Sequence, residues 1–362
     1  LRGKIVIMQA PRPVRMLEGP VILRMDDGPW WTEAATPQEP APAQPPAPAA
    51  RAAAQARQRL ALAIQKFLVD EGVGVLLDRG RDGDTAAGGS DLTWSTQMTD
   101  GGTVFPTSGG SRDPEAPPQV PSATLAVEHY NRLVRLVTRG IPVKMEVSIQ
   151  TAFYPEGPEG NGINTIAEIP GVDLAHEVVI LGAHLDSVPY ATGATDNATG
   201  SAAMMEAVRV IQALKLRPRR TIRVALWGGE EQGLLGSRAY VAAHYWDAAA
   251  GAPKGDHANV AAYFNLDNGT GRIRGIWGQG NKGALPILEK WGEPLKALGW
   301  KMASPRSVGA TDHAAFDQAG LPGFQFIQER LEYNSRSHHS NMDTFDRVQK
   351  EDVEQQGAVA AV

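Results

Sequence analysis

The chain of 362 residues contains no cysteine, which excludes disulfides and thiolate metal sites and leaves the redox compartment open. It has no marked excess of either charge. Its 35 Lys and Arg face 40 Asp and Glu, a net charge of −5, and no basic patch suggests nucleic acid. It also lacks an uninterrupted apolar run long enough to span a bilayer. An initiating Met and a signal peptide are missing too. The opening Leu1-Arg2-Gly3-Lys4-Ile5-Val6-Ile7-Met8 reads as a strand already inside a domain, and Ala358 to Val362 as the first turns of a helix. Both ends therefore read as cut, with any targeting segment simply absent. What remains is a globular composition, 42% hydrophobic, in a length that suits two domains.

Against these absences stands Trp227-Gly228-Gly229-Glu230-Glu231-Gln232-Gly233, two adjacent carboxylates directly after the apolar run Thr221 to Leu226. Neighbouring carboxylates at a strand end repel unless something positive sits beside them. A metal meets that need: one Glu ligates it while the other, left free, handles protons. Other runs repeat the pattern. Glu177 to Ala183 leads into His184-Leu185-Asp186-Ser187, and Val260 to Leu266 leads into Asp267. Gly323 to Ile327 is followed, after a loop, by Ser337-His338-His339-Ser340-Asn341-Met342-Asp343. Short apolar runs alternating with helical patterns predict an α/β fold, a mostly parallel doubly wound sheet flanked by helices. The carboxyl ends of its strands form one rim, where His184, Glu230, Glu231 and Asp267 gather. His, Asp and Glu without Cys suit zinc, manganese or a similar divalent ion.

These motifs, with Thr195-Asp196-Asn197 and Leu234-Leu235-Gly236-Ser237, occur in the order seen in the co-catalytic di-zinc metallopeptidases. The chain resembles that family (peptidase family twenty-eight), which holds bacterial leucyl aminopeptidases and glutamate carboxypeptidases, over roughly residues 164 to 350. The His338-His339-Ser340 form is similar to the branch of plasma glutamate carboxypeptidase (carboxypeptidase Q). The resemblance implies a zinc-exopeptidase-like fold and two Zn2+ per chain. It implies that Asp196 bridges the ions, that His184 and Asp267 complete one site, and that Glu231 and His339 complete the other. Glu230 is then the general base and Asp186 the carboxylate behind His184, with Asp343 a second outer partner. Asn197 departs from relatives that carry Asp there, in a peptide bond the family often holds cis. The implied activity is hydrolysis of short peptides by an aminopeptidase or dipeptidase, with a periplasmic or secreted location.

The other polar residues receive plainer readings. Thr311 or Asp312 reads as the N-cap of a helix beginning near His313, although relatives line a pocket with a similar segment. His338, next to His339 in an extended chain, points away from the metals. Tyr333 is either an oxyanion donor or a packing residue. Gln328 and Glu329 are candidates for receiving a substrate's amino group. His129, His176, His244 and His257 read as surface residues. Met204, Val208, Ile211 and Leu214 form a core-facing stripe on the helix Ser201 to Lys215, and Gly200 lets that helix approach the sheet.

Residues 1–150 read as a separate module and 151–362 as the catalytic domain. Strands at Gly3–Ile7, Val73–Asp78 and Pro121–Val127, with helices Arg57–Glu71 and Glu128–Thr138, resemble the protease-associated domain found in many peptidases of the family, a smaller α+β unit. Within it, Pro37 to Pro48 reads as a semi-extended linker and residues 80 to 120 as loops. Two other functions share the pattern. A glutaminyl cyclase-like acyltransferase typically keeps one zinc, and a non-catalytic binding relative loses ligands or the base; this chain retains the full set. Preferred side chain, native metal and oligomeric state are not encoded in spacing.

Overall fold

The computed structural model describes residues 1–11, 22, 24–25, 29–37, 48–79, 104–106, 115–150, 152 and 162–362. Two compact units divide the chain: Leu1–Glu18 with Glu39–Gly160, and Gly19–Gln38 with Asn161–Val362. The stretch Gly19–Gln38, which the sequence grouped with the first module, thus clusters with the second unit. Most of the Pro/Ala-rich run and of residues 80 to 120 lies outside the described residues.

In chain order the elements begin with β1 (Ile5–Ile7), α1 (Pro29–Ala35), α2 (Pro48–Asp70), β2 (Val75–Asp78), β3 (Val104–Pro106), β4 (Ser122–Leu125) and α3 (Val127–Thr138). In the first unit β1, β2 and β4 are parallel and β3 closes the sheet antiparallel to β4. Tyr130 of α3 is fully buried against Leu77, Ala123 and Leu125, while its hydroxyl exchanges hydrogen bonds with the Gln9 backbone. Helix α2 starts earlier than its apolar spacing suggested. Only its last turns are anchored: Leu68 is buried, whereas Leu60 and Phe67 stand exposed.

The second unit continues with β5 (Thr165–Ile169), β6 (Leu174–His184), α4 (Thr199–Ala213), β7 (Arg220–Trp227), α5 (Leu235–His244), the small pair β8 (Trp246–Asp247) and β9 (Ala252–Pro253), and β10 (Val260–Asn265). It ends with β11 (Ile273–Trp277), α6 (Leu285–Gly292), β12 (Met302–Ser304), α7 (His313–Gln318), β13 (Gly323–Gln328) and α8 (Lys350–Ala360). The final helix therefore begins well before the Ala/Val-rich end that suggested it.

Seven strands form one sheet in the order β12-β11-β13-β10-β6-β7-β5. The central pairs β13-β10, β10-β6 and β6-β7 are parallel, and antiparallel pairing appears at β11-β13 and β5-β7. Strand alternation splits the core into two layers. Leu181, Val224, Leu226 and Ala262 face α4 and α8, while Ile180, Ala225, Trp227 and Tyr263 face α5 and α7. Burying each large apolar side chain contributes about 1.5–3 kcal/mol. Met204 and Ile211 are buried as the stripe predicts, but Leu214 is the C-cap of α4 and is exposed, because the helix ends at Ala213. Gly200 seats α4 closely: a Cβ there would lie 2.2 Å from Asn197 Oδ1 and 2.5 Å from the Leu266 carbonyl oxygen. No helix of the described residues is long and apolar enough to cross a membrane.

Candidate metal centre at the strand ends

The parallel pairing of β6, β7 and β10 brings their carboxyl ends together. His184 is the last residue of β6 and is 1% exposed. Its Nδ1 lies 2.9 Å from the Asp186 carbonyl oxygen, closer than the Asp186 carboxylate at 3.6 Å. That carboxylate instead accepts the N–H groups of Glu230 at 3.0 Å and Glu231 at 3.2 Å, clamping the turn after β7. Gly229 has a φ of +70°, a left-handed turn that glycine makes without steric cost, so the chain reverses there.

Asp196 lies in the tight turn Ala194–Ala198 before α4, buried, with a cis peptide bond to Asn197. The Asp343 carboxylate holds this turn, accepting the N–H groups of Thr195 at 2.6 Å and Asp196 at 3.1 Å. Asn197 donates from Nδ2 to the Leu266 carbonyl and accepts from Gly200 N–H, so its amide ties the turn to the end of β10. Asp267 follows two residues after β10 and is buried.

The side chains expected at the rim converge. His184 Nε2 is 3.2 Å from Asp196 Oδ1 and 3.3 Å from Asp267 Oδ1. On the other side of the same carboxylate, Asp196 Oδ2 is 3.5 Å from His339 Nε2, which is 2.9 Å from Glu231 Oε2. Asp196 thus divides its two oxygens between two groups of ligand atoms. His184 Nε2, Asp196 Oδ2 and Glu231 Oε1 are buried and make no hydrogen bond. Such atoms are costly to bury unless an ion or water engages them. The donor set of His nitrogen and carboxylate oxygen therefore fits a divalent cation, and Asp196 belongs to both groupings, with His338 and His339 and with His184 and Glu231.

Electrostatics agree with the geometry. Burial, reinforced by Asp267 and Glu231, raises the Asp196 carboxyl to about 6. Burial, with Asp267 beside it, pushes Glu230 up to about 10. For His184 burial opposes the charge, yet Asp267, Asp186 and Asp196 outweigh it and hold the imidazole well above its usual range. Glu231 does the same for His339. Crowded carboxylates thus draw positive charge toward this rim.

Several polar residues sit elsewhere than expected. His338 does not point away: its Nε2 is 3.9 Å from Asp196 Oδ2, and its ring stacks on His339 with centroids 3.9 Å apart. His339 has a φ of +54°, and this left-handed step brings both imidazoles to one side where an extended chain would alternate them. Tyr333 is buried, near enough to Asp196, Asp267 and Glu231 for burial and these charges to raise its hydroxyl well above its usual range. Asp312 makes no cap hydrogen bond for α7. Its carboxylate is buried instead, burial raising it to about 7 with Ser237 partly offsetting. Burial holds His313 neutral, lowered to about 4, with Nε2 3.0 Å from the Val308 carbonyl oxygen. Gln328 donates from Nε2 to the Gly269 carbonyl while its Oε1 is buried without a hydrogen bond, and Glu329 pairs with Arg24 and Arg274. Among the remaining histidines, His129, His176 and His244 are exposed and His257 is half-buried, at the Ala319 carbonyl.

Comparison with known proteins points the same way. The family model described as peptidase family M28 matches residues 164–362. Human carboxypeptidase Q is 31% identical over 245 residues, which cover 68% of this chain and 49% of that protein. The chain therefore spans about half the length of the curated relatives it matches. A crystal structure of a peptidase M28 precursor from Shewanella amazonensis SB2B aligns with TM-score 0.58 and 26% identity, covering 80% of this chain and 59% of that one. A zinc aminopeptidase from Bacillus subtilis shares the fold, with TM-score 0.51 and 21% identity over 82% of this chain and 65% of that one.

Proposed function

The chain belongs to peptidase family M28, and from that premise we propose that it is a zinc-dependent exopeptidase acting on short peptides. The observation that carries this reading is Asp196, whose Oδ1 faces His184 and whose Oδ2 faces His339, a carboxylate shared between two ligand groups. His184 and Asp267 would hold one Zn2+ and Glu231 and His339 the other, with Asp196 shared between the two groups. When bound, such a pair lowers the pKa of a shared water from about 16 toward 7 and polarises the scissile carbonyl.

The chain's own residues do the rest. Glu230, buried at the same rim, would accept the water's proton at its ionised carboxylate and return it to the leaving amine. Asp186 fixes the backbone of Glu230 and Glu231 through two N–H groups, so base and ligand move as one piece. Asp343 does the same for Asp196. Free-amine dipeptides are the proposed substrates. The names of the relatives span a carboxypeptidase and an aminopeptidase, and dipeptides satisfy both directions. We also propose that the first unit is a protease-associated-like module and that the protein is exported, which fractionation of the source cells tests.

The deciding experiment incubates the full chain with free and N-blocked dipeptides, with and without chelator, beside elemental analysis. Chelator-sensitive release of amino acids from free dipeptides, with two zinc per chain, is the expected result. Hydrolysis that survives chelation, or none with both ions bound, overturns the reading.

A further inference from the structure

We propose that Ile22, Arg24, Met25 and the segment 29–37 that carries α1 form a strap on the peptidase unit, and that Arg24 is a positioning residue for the loop bearing Tyr333, His338 and His339. Arg24 Nη1 binds Glu329 Oε2 at 2.7 Å and also the Asp352 carboxylate. Glu329 and Asp352 are each almost fully buried, and carboxylates at that depth require cations. Arg274 meets Glu329 at 3.2 Å, and Arg272 meets Asp352 at 3.0 Å. Arg24 is the member that touches both, and so joins the end of β13 to α8.

Glu329 is the first residue of the segment that leaves β13 for the rim. Its N–H binds the Arg272 carbonyl at 2.9 Å, and Tyr333 N–H binds the Arg330 carbonyl at 2.8 Å. His338 N–H then binds the Tyr333 carbonyl at 2.8 Å, so a short chain of backbone contacts links Glu329 to the imidazoles. The strap also reaches the loop directly: Ile22 lines one cavity with Thr195, Arg330, Tyr333 and Ser337. Thr195, which precedes Asp196 and lines the same cavity, donates to Ser337 Oγ at 2.8 Å.

The strap's other end is pinned independently of the loop. Met25, Trp31 and Ala34 pack with Trp277, Met302 and Ile327. Trp31 Nε1 donates to the Met25 carbonyl at 3.1 Å, and Ser304 Oγ donates to the Ala34 carbonyl at 2.5 Å. Arg306 holds Glu33 at 2.9 Å on the surface. Arg24 therefore neighbours Met25, which packs with α1, and its loss would release the loop without unseating that helix.

The test compares Arg24→Ala, Arg24→Lys and Glu33→Ala in the full chain by hydrogen exchange of the amides of residues 330–340 and by steady-state kinetics on a free dipeptide. Arg24→Ala is expected to speed exchange in that loop roughly tenfold while β6 and β7 stay protected. It is also expected to lower kcat about 10–100-fold with a smaller change in KM, since a small misplacement of reacting groups is costly. Arg24→Lys should recover part of both, and Glu33→Ala should leave both unchanged. If Arg24→Ala does not fold, Arg24→Gln and Arg24→Lys are read instead, and wild-type loop exchange in them overturns the proposal. Equal effects of Arg24→Ala and Glu33→Ala also overturn it. The kinetic arm rests on the hydrolytic function proposed above, and the exchange arm does not. A wild type that is inactive yet shows the exchange pattern removes that function and leaves the strap standing.

Discussion

Two clusters of buried carboxylates lie in the second unit, and they are neutralised differently. Glu329 and Asp352 receive guanidinium groups, Arg24, Arg272 and Arg274, at salt-bridge distance. At the strand ends, the ion-pair partners of Asp196, Glu231 and Asp267 are imidazoles. A guanidinium is always charged and satisfies a carboxylate outright, which suits a fixed joint. An imidazole gives up its proton and offers a nitrogen lone pair, which suits a site that takes cations from solution. The same chemical problem thus has a fixed solution in one place and, in the function we propose, a metal-binding one in the other.

The largest expected effect separates base from ligand at the imidazole-rich rim. Glu230→Gln keeps the shape and removes the proton acceptor, so turnover should fall about 10²–10⁴-fold with zinc content unchanged. Undiminished kcat in a zinc-replete mutant removes Glu230 from its role. In the guanidinium-rich cluster the expected effect is on stability. Arg274→Met withdraws the buried one of the two guanidinium groups at Glu329 and leaves the half-exposed Arg24, and stripping a buried carboxylate of its buried partner costs up to about 3–5 kcal/mol. Melting temperature should drop by roughly 10 °C, and a shift within experimental scatter would show that Arg24 alone satisfies Glu329.

Metal removal sharpens the contrast through pH. Asp196 and Glu230 are raised to about 6 and about 10, both chiefly by burial, and His184 and His339 are raised by their carboxylate partners despite burial. A group raised on folding contributes stability below its unfolded value and loses it as pH climbs through the folded one. The metal-free protein should therefore weaken steadily between about pH 4 and 10. Asp267 and Asp186, lowered by His184 in spite of burial, act in the opposite sense and below that window. Zinc at 100 times its dissociation constant adds about 2.7 kcal/mol. Differential scanning of zinc-loaded and stripped protein should show the gap in melting temperature widening from pH 5 to 9. A gap that narrows contradicts the assignment of these carboxylates to the metal rim.

Much of the rim was legible because parallel strands place the residues that follow apolar runs on one edge, so His184, Glu231 and Asp267 announce themselves by position. Asp196 and His339 needed the family order of motifs, since a turn and a loop carry no periodicity. His338 was misread because alternation along an extended chain fails at a left-handed residue such as His339. Asp312 looked like an N-cap by type and place, but its carboxylate turns inward. Arg24 left no sequence signal. Its partners lie 305 and 328 residues away, and only the fold brings them together.

The smallest expected effect tests whether depth, rather than distance, distinguishes the arginines. Arg209 binds Glu206 at 2.6 Å on the surface of α4, closer than the 3.2 Å between Arg274 and Glu329. By distance alone the Arg209 pair would be the stronger. Water and salt screen it, however, and both side chains give up conformational freedom to form it. Neither loses hydration, so removing one leaves the other solvated. Arg209→Ala should leave the melting temperature within experimental scatter at moderate salt, under the conditions where Arg274→Met lowers it clearly. Equal losses from the two substitutions would mean that burial does not set the value of these pairs, and the contrast between the guanidinium joint and the open rim would lose its basis.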